Sequence, residues 1–118
     1  TMPSPFGDIL QHEIETAGAA FLKKRRPPEE IRDQLDLAYR TDGLSVYVVE
    51  LRPSYSPPHK IEEEPVAKTT FVKSKGVWKV YWMRGDLKWH AYPEMPEVKS
   101  IGEFFELVDA DEFHCFFG

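Results

Sequence analysis

From Leu35 to Tyr92 the sequence repeats one pattern five times, a run of six to nine residues with apolar side chains at alternate positions, closed by a turn signal. Alternation is the period of a strand, and successive strands joined by tight turns pair antiparallel. The runs are "QLDLAYR", "LSVYVVELR", "VAKTTFVK", "VWKVYWMR" and "LKWHAY". They predict an antiparallel meander over 34–92.

Turn chemistry sets the expected register. Thr41-Asp42-Gly43 reads as a three-residue loop with glycine where a positive φ is wanted. That loop puts Leu35, Leu37 and Tyr39 on one face with Tyr47, Val49 and Leu51, and Asp36, Ala38 and Arg40 on the other with Val46, Val48, Glu50 and Arg52. Gly85-Asp86 reads as a two-residue type II′ turn, so that Trp82 faces Trp89, Tyr81 faces His90 and Lys79 faces Tyr92. The expected core face then carries Trp78, Val80, Trp82, Trp89 and Ala91, continued by Ala67, Thr69 and Phe71. Between the second and third runs, Pro53 to Pro65 has four prolines, three consecutive glutamates and no period, and reads as a mobile loop.

Helical signals flank the sheet. Leu10, Ile14, Ala17 and Phe21 make an apolar stripe over 8–24, with Asp8 as the expected cap. The cations Lys23 to Arg26 close it ahead of Pro27-Pro28 and suit the negative end of the helix dipole better than they suit a nucleic-acid patch. Glu29 to Asp33 adds one further turn. Ser100 with Glu103 is a capping box, and Ile101, Phe104, Phe105 and Val108 form the stripe of a second helix over 100–111. The tail 113–118 is too aromatic to stay in water, so Phe113, Phe116 and Phe117 are expected to dock. The reading is a single α+β domain over 1–118, a five-stranded antiparallel meander with an N-terminal and a C-terminal helix on the tryptophan face.

With 42% hydrophobic residues, 118 residues suffice for one core. No run reaches the roughly 18 apolar residues of a membrane span, and the N-terminus has no basic region followed by an apolar one. Thr1, ahead of Met2, is kept out of the fold argument. Cys115 is the single cysteine, which excludes an internal disulfide and fits a reducing cytoplasm. These features lead to the expectation of a soluble cytoplasmic chain with no membrane partner.

The runs "RRPPEEIRDQLDLAYR", "ELRP", "VAKTTFVK", "WKVYWMRGDLKWHAY" and "DADEFHCFFG" resemble a bacterial domain-of-unknown-function family, number 3024, over nearly the whole chain. The resemblance implies a bacterial origin and one small domain. It assigns no catalytic residue.

The net charge of −5 is unevenly spread. Val66 to Tyr92 carries Lys68, Lys73, Lys75, Lys79, Arg84 and Lys88 against Asp86 alone, a segment of +5 in an otherwise acidic chain. On the face opposite the tryptophans, the expected register gathers Lys68, Lys79, Tyr81, Lys88, His90 and Tyr92. Cations interleaved with rings suit phosphates and stacked bases, while tyrosine also suits a protein interface and lysine and tyrosine are common on any wet sheet face. The expected function is a non-catalytic binding or accessory module with a protein or nucleic-acid partner, and a second copy joined through a sheet edge is a further partner. The alternative is a metal-dependent nuclease. In the expected register Asp36 lies diagonal to Glu50, and Glu50-x-Arg52 is loosely similar to the Glu-x-Lys of restriction-endonuclease-like sites, where carboxylates hold a divalent metal. Arg52 replaces the lysine and stays protonated, and an ion pair of Glu50 with Arg40 or Arg52 explains the same residues. His12, His59, His90 and His114 show no metal-ligand spacing, and no cofactor motif is present.

Overall fold

The computed structural model describes residues 5–117, so Thr1 and the Gly118 end of the tail lie outside the described residues. The elements run α1 (Asp8–Arg25), β1 (Asp36–Asp42), β2 (Ser45–Pro53), β3 (Ile61–Val72), β4 (Val77–Met83), β5 (Trp89–Ala91), β6 (Glu97–Val98) and α2 (Ile101–Ala110), with a 3-10 turn at Glu29–Ile31. Strands β1 to β5 are neighbours in chain order and all their pairings are antiparallel. The two-residue β6, absent from the expected strands, pairs with β4 beyond the end of β5.

Both helices lie against one side of the sheet. Ile14 and Phe21 of α1 and Ile101, Phe104, Phe105 and Val108 of α2 are buried with Val46, Val48, Ala67, Trp78 and Val80. Phe21 and Phe105 meet at 5.2 Å between ring centroids, joining the helices, and Tyr39 of β1 stands edge-on to Phe105 at 6.0 Å. The apolar stripes thus bury the sides that the 3.6-residue period assigns them. Thr69, buried among them, donates its hydroxyl to the Lys79 carbonyl at 2.7 Å. That bond meets the demand of a buried polar group.

Helix ends differ from expectation in detail. Gly7, not Asp8, is the N-cap of α1, and Asp8 is the first helical residue, where its charge still faces the positive end of the dipole. At α2 the Ser100 hydroxyl accepts from the Glu103 N–H at 3.2 Å, while the Glu103 carboxylate accepts from the Lys99 N–H rather than that of Ser100. Asp111 ends α2 in the left-handed region, with φ 40°.

Two registers are corrected by one residue in parity. Asp42 pairs with Ser45, so the first turn is Gly43-Leu44, with the glycine at φ 57° as the first residue of a type II′ turn needs. Leu37, Tyr39, Val46 and Val48 therefore face the helices, and Ala38, Tyr47, Val49 and Leu51 face away. At the second turn Arg84 N–H reaches the Lys88 carbonyl, so the loop is Gly85-Asp86-Leu87, with Leu87 at φ 62°. A three-residue loop whose last residue is left-handed is the common alternative to a two-residue turn. It pairs Tyr81 with Ala91, Trp82 with His90 and Met83 with Trp89. Trp78, Val80 and Trp82 keep the helix side, but Trp89 and Ala91 leave it, and His90 and Tyr92 take their place.

The acidic stretch 61–65 is strand, and the loop shrinks to 54–60. Glu62 is the register partner of Arg52, and Glu63 meets Arg40 of β1 at 2.7 Å across β2, so a cation two strands away neutralises one carboxylate of the run. Pro65 sits where the β2–β3 register shifts, at Val48/Val49, a bulge that tolerates a residue without an N–H. The tail docks in part. Phe116 is buried against Tyr92 at 4.9 Å between rings and Phe117 lies under the Arg25 guanidinium at 4.5 Å, but Phe113 is 53% exposed, contrary to expectation.

Candidate functional site

Helices cover one side of the sheet and leave the other open. Across that open side one row runs through every main strand, Arg40, Tyr47, Lys68, Tyr81 and Ala91, each paired with the next. Trp89, two residues from Ala91, leans back over the row until its ring lies 6.0 Å from that of Tyr47. The Lys68 ammonium ends among three rings, at 5.6 Å from Tyr47, 5.5 Å from Tyr81 and 6.0 Å from Trp89. Each such approach is worth about 0.5–1 kcal/mol near the surface and fixes the rings relative to one another. Met83 pairs with Trp89 and extends the patch along β4. The result is a half-buried aromatic cluster built around one cation.

Of the expected binding residues, the structure brings Lys68, Lys79 and Tyr81 onto this face. It takes the other three away. Tyr92 is 2% exposed on the helix side, where burial raises its hydroxyl pKa above the usual value. His90 also turns to that side and bonds Asp86 through Nε2 at 2.8 Å, a contact that holds the Asp86 carboxyl below its usual range. Lys88 precedes Trp89, so alternation aims it away from the cluster. Tyr47 and Trp89 are the ring residues that sequence reasoning assigned to the core. For Tyr47 the overlooked signal was Gly43, which heads a two-residue turn as well as it closes a three-residue one, whereas Trp89 changed side with the longer turn that ends at Leu87.

The face is less cationic than the sequence suggested. Arg40 is held by Glu63, and Lys79 pairs across the strands with Glu97. Lys68, ringed by aromatics, is the cation at its centre.

The nuclease arrangement loses its geometry with the first register. Leu37, not a neighbour on Asp36's face, stands opposite Glu50, and Asp36 pairs with Leu51, so alternation assigns the two carboxylates to opposite sides. Asp36 is clasped by Arg26, whose Nε and Nη2 each donate to one carboxylate oxygen at 2.7 Å, and the guanidinium holds its carboxyl below the usual range. Glu50 takes Arg52 as partner at 3.2 Å. Among the described residues no three carboxylate, histidine or cysteine side chains come together as metal ligands. No described helix is long and apolar enough to cross a membrane.

These elements define a small α+β domain with a sheet open on one face. The chain belongs to the family described as a domain of unknown function, DUF3024, which matches residues 6–118. No curated protein and no solved structure matches it.

Proposed function

We propose that the chain is a non-catalytic binding module whose open sheet face takes a polypeptide partner through Tyr47, Tyr81, Trp89 and Lys68. The observation that carries this reading is the three-ring cluster fixed around Lys68 on the side that no helix covers. Pre-set tyrosine and tryptophan rings are the usual anchors of protein interfaces, because they bring large contact area with little rotamer freedom left to lose. A single-stranded nucleic acid would ask for a track of free cations beside free ring faces. Here Arg40 is engaged by Glu63, Lys79 has Glu97 beside it, and Lys68 already occupies the rings. The edge strand β1 carries Asp36, Arg40 and Asp42, charges of the kind that oppose edge-to-edge pairing, so self-association is not part of this reading. A bacterial cytoplasmic setting goes with it, on the family resemblance and the single cysteine.

The test uses the whole chain as bait in extract of its source organism, beside a Tyr81→Ser/Trp89→Ser variant shown by circular dichroism to be folded. A protein retained by the wild type and lost by the variant is the expected result. Labelled single-stranded DNA and RNA are titrated in parallel across salt. Salt-dependent binding that the same variant abolishes would transfer the face to nucleic acid. Retention of every captured protein by the variant would reject the face altogether.

A further inference from the structure

A second recessed surface lies on the helix side of the sheet, away from the aromatic cluster. It is a groove of about 620 Å³ between the outer side of α2, the segment leading into β6 and the start of the tail. Its floor is apolar, with Tyr92 and Val98 almost wholly buried beneath it and Leu107 half-buried. Met95 and Phe113 stand at its sides 44% and 53% exposed. Large apolar side chains left open beside a recess mark a binding surface more often than isolated ones do. Phe113 was expected to dock with the rest of the tail, and it is left out while Phe116 and Phe117 are held.

The rim is acidic throughout. Glu94, Glu103, Glu106 and Glu112 line the groove, no cation does, and none of the four forms an ion pair among the described residues. Carboxylates without an ion pair occur elsewhere on the described surface too, and what sets the groove apart is that four of them line one recess with no cation among its lining residues. The four come from three separate segments and surround the apolar floor instead of meeting at one point. A ligand with one positive charge would leave most of them unmatched. A chain segment with several lysines or arginines around apolar anchors would match rim and floor together.

We infer that this groove, from Met95 to Phe113 across Leu107, docks a cationic amphipathic segment of a partner protein, seating its apolar side chains on the floor and its cations on the glutamate rim. The volume falls in the range of roughly 300–1,000 Å³ that buries most of a compact ligand, enough for two or three anchoring side chains. Apolar anchors on one helical face with basic residues beside them is a recognised mode of helix-in-groove binding. Opposite charge at the rim gives such a complex its speed of encounter and its salt dependence.

The experiment titrates the whole protein into a fluorescein-labelled peptide built of leucines on one helical face and lysines on the rest. Controls are the same composition scrambled to remove the apolar face, and a version with glutamate in place of lysine. Binding of the patterned peptide, with the scrambled and acidic versions weaker by roughly tenfold or more, is expected. Glu106→Lys with Glu112→Lys should weaken it by a similar factor, and so should Met95→Ser with Phe113→Ser, which alters exposed side chains and spares the core. Glu13→Lys with Glu30→Lys, carrying the same change of net charge away from the groove, should leave it within about twofold. Equal loss in both charge-reversal variants would show that only net charge attracts the peptide and would overturn the inference. So would full affinity in the Met95/Phe113 variant, or no binding of the patterned peptide.

Discussion

Tyr39 lies across Gly18. A Cβ built on that glycine would stand 2.5 Å from the Tyr39 Cε1 and 2.8 Å from its Cδ1 and Cζ. On helix propensity alone, alanine in place of a mid-helix glycine gains about 0.5–1 kcal/mol. Here the ring is also held edge-on by Phe105 and cannot withdraw without disturbing the joint between the helices. Overpacking of that kind costs about 1–3 kcal/mol, so Gly18→Ala is expected to destabilise by about 1–2 kcal/mol in urea unfolding. In a Tyr39→Ala background the same substitution should become neutral or stabilising. A stabilising Gly18→Ala in the wild-type background would show that α1 sits further from β1 than described.

Asp111 does two jobs at the end of α2. It closes the helix in the left-handed region, and its two oxygens accept the N–H groups of Phe116 and Phe117 at 3.0 and 3.1 Å. Hydrogen bonds to a charged acceptor contribute about 1.5–3 kcal/mol, and an alanine is strained where φ is positive. Asp111→Ala is therefore expected to destabilise by about 2–4 kcal/mol. Amide hydrogen exchange should find the Phe116 and Phe117 N–H groups deprotected well beyond that of the helix. Asn tolerates the same backbone and keeps one acceptor, so Asp111→Asn should lose less. Equal protection of both amides in the alanine variant would assign tail docking to Phe116 packing alone.

The contrast between elements and registers shows what sequence can carry. Ile14 and Phe21, Phe104 and Val108, Trp78 and Val80 declare their buried sides through period alone, because burial rewards every turn or every second residue in the same way. Faces across a hairpin depend instead on the length of a turn, and one residue more or less reverses them. Nothing about Leu87 announces a positive φ, since the backbone preference of leucine opposes it and the surrounding pairing imposes it. The acidic strand 61–65 was illegible for a related reason: the ladder that holds it is on β2, and the cation that meets Glu63, Arg40, is on β1. The candidate face followed the registers, which is why Lys68 and Tyr81 were found and Tyr47 and Trp89 were placed inside.

Trp78 and Trp89 provide a direct reading of the second register. Trp78 is 1% exposed beneath Phe6 and Phe71, whereas Trp89 is half-buried on the open side. Removing a core tryptophan costs about 3–5 kcal/mol, and Trp78→Ala is expected to fall there. Trp89→Ala should lose only part of its contact area and its approach to Lys68, about 1–2 kcal/mol. Acrylamide should quench Trp89 in single-tryptophan variants more readily than Trp78. Equal protection and equal loss would restore the two-residue turn at Gly85-Asp86 and put Trp89 in the core.

Asp36 and Arg26 make stability depend on pH in a direction that can be stated. The bidentate guanidinium holds the Asp36 carboxyl below its usual value, opposed by desolvation and helped by the Leu37 N–H. Its pKa is lower folded than unfolded, so the contribution is complete above the unfolded value, near 4, and is lost as pH falls through the folded one. Arg26, its own pKa raised by the same contact, stays charged throughout. The melting temperature of the wild type should therefore exceed that of Asp36→Asn by a constant amount above about pH 5, and the gap should shrink below about pH 4. The Asp86 carboxyl is also held below its usual range, by His90, but is common to both proteins, so it cancels in the difference. Arg26→Gln should remove the same pH-dependent gap, and combining the two substitutions should remove little more, because each alone already breaks the pair. A gap that stays constant from pH 7 to about pH 3 would show that folding does not shift the Asp36 carboxyl, and would overturn the stabilising pair with Arg26.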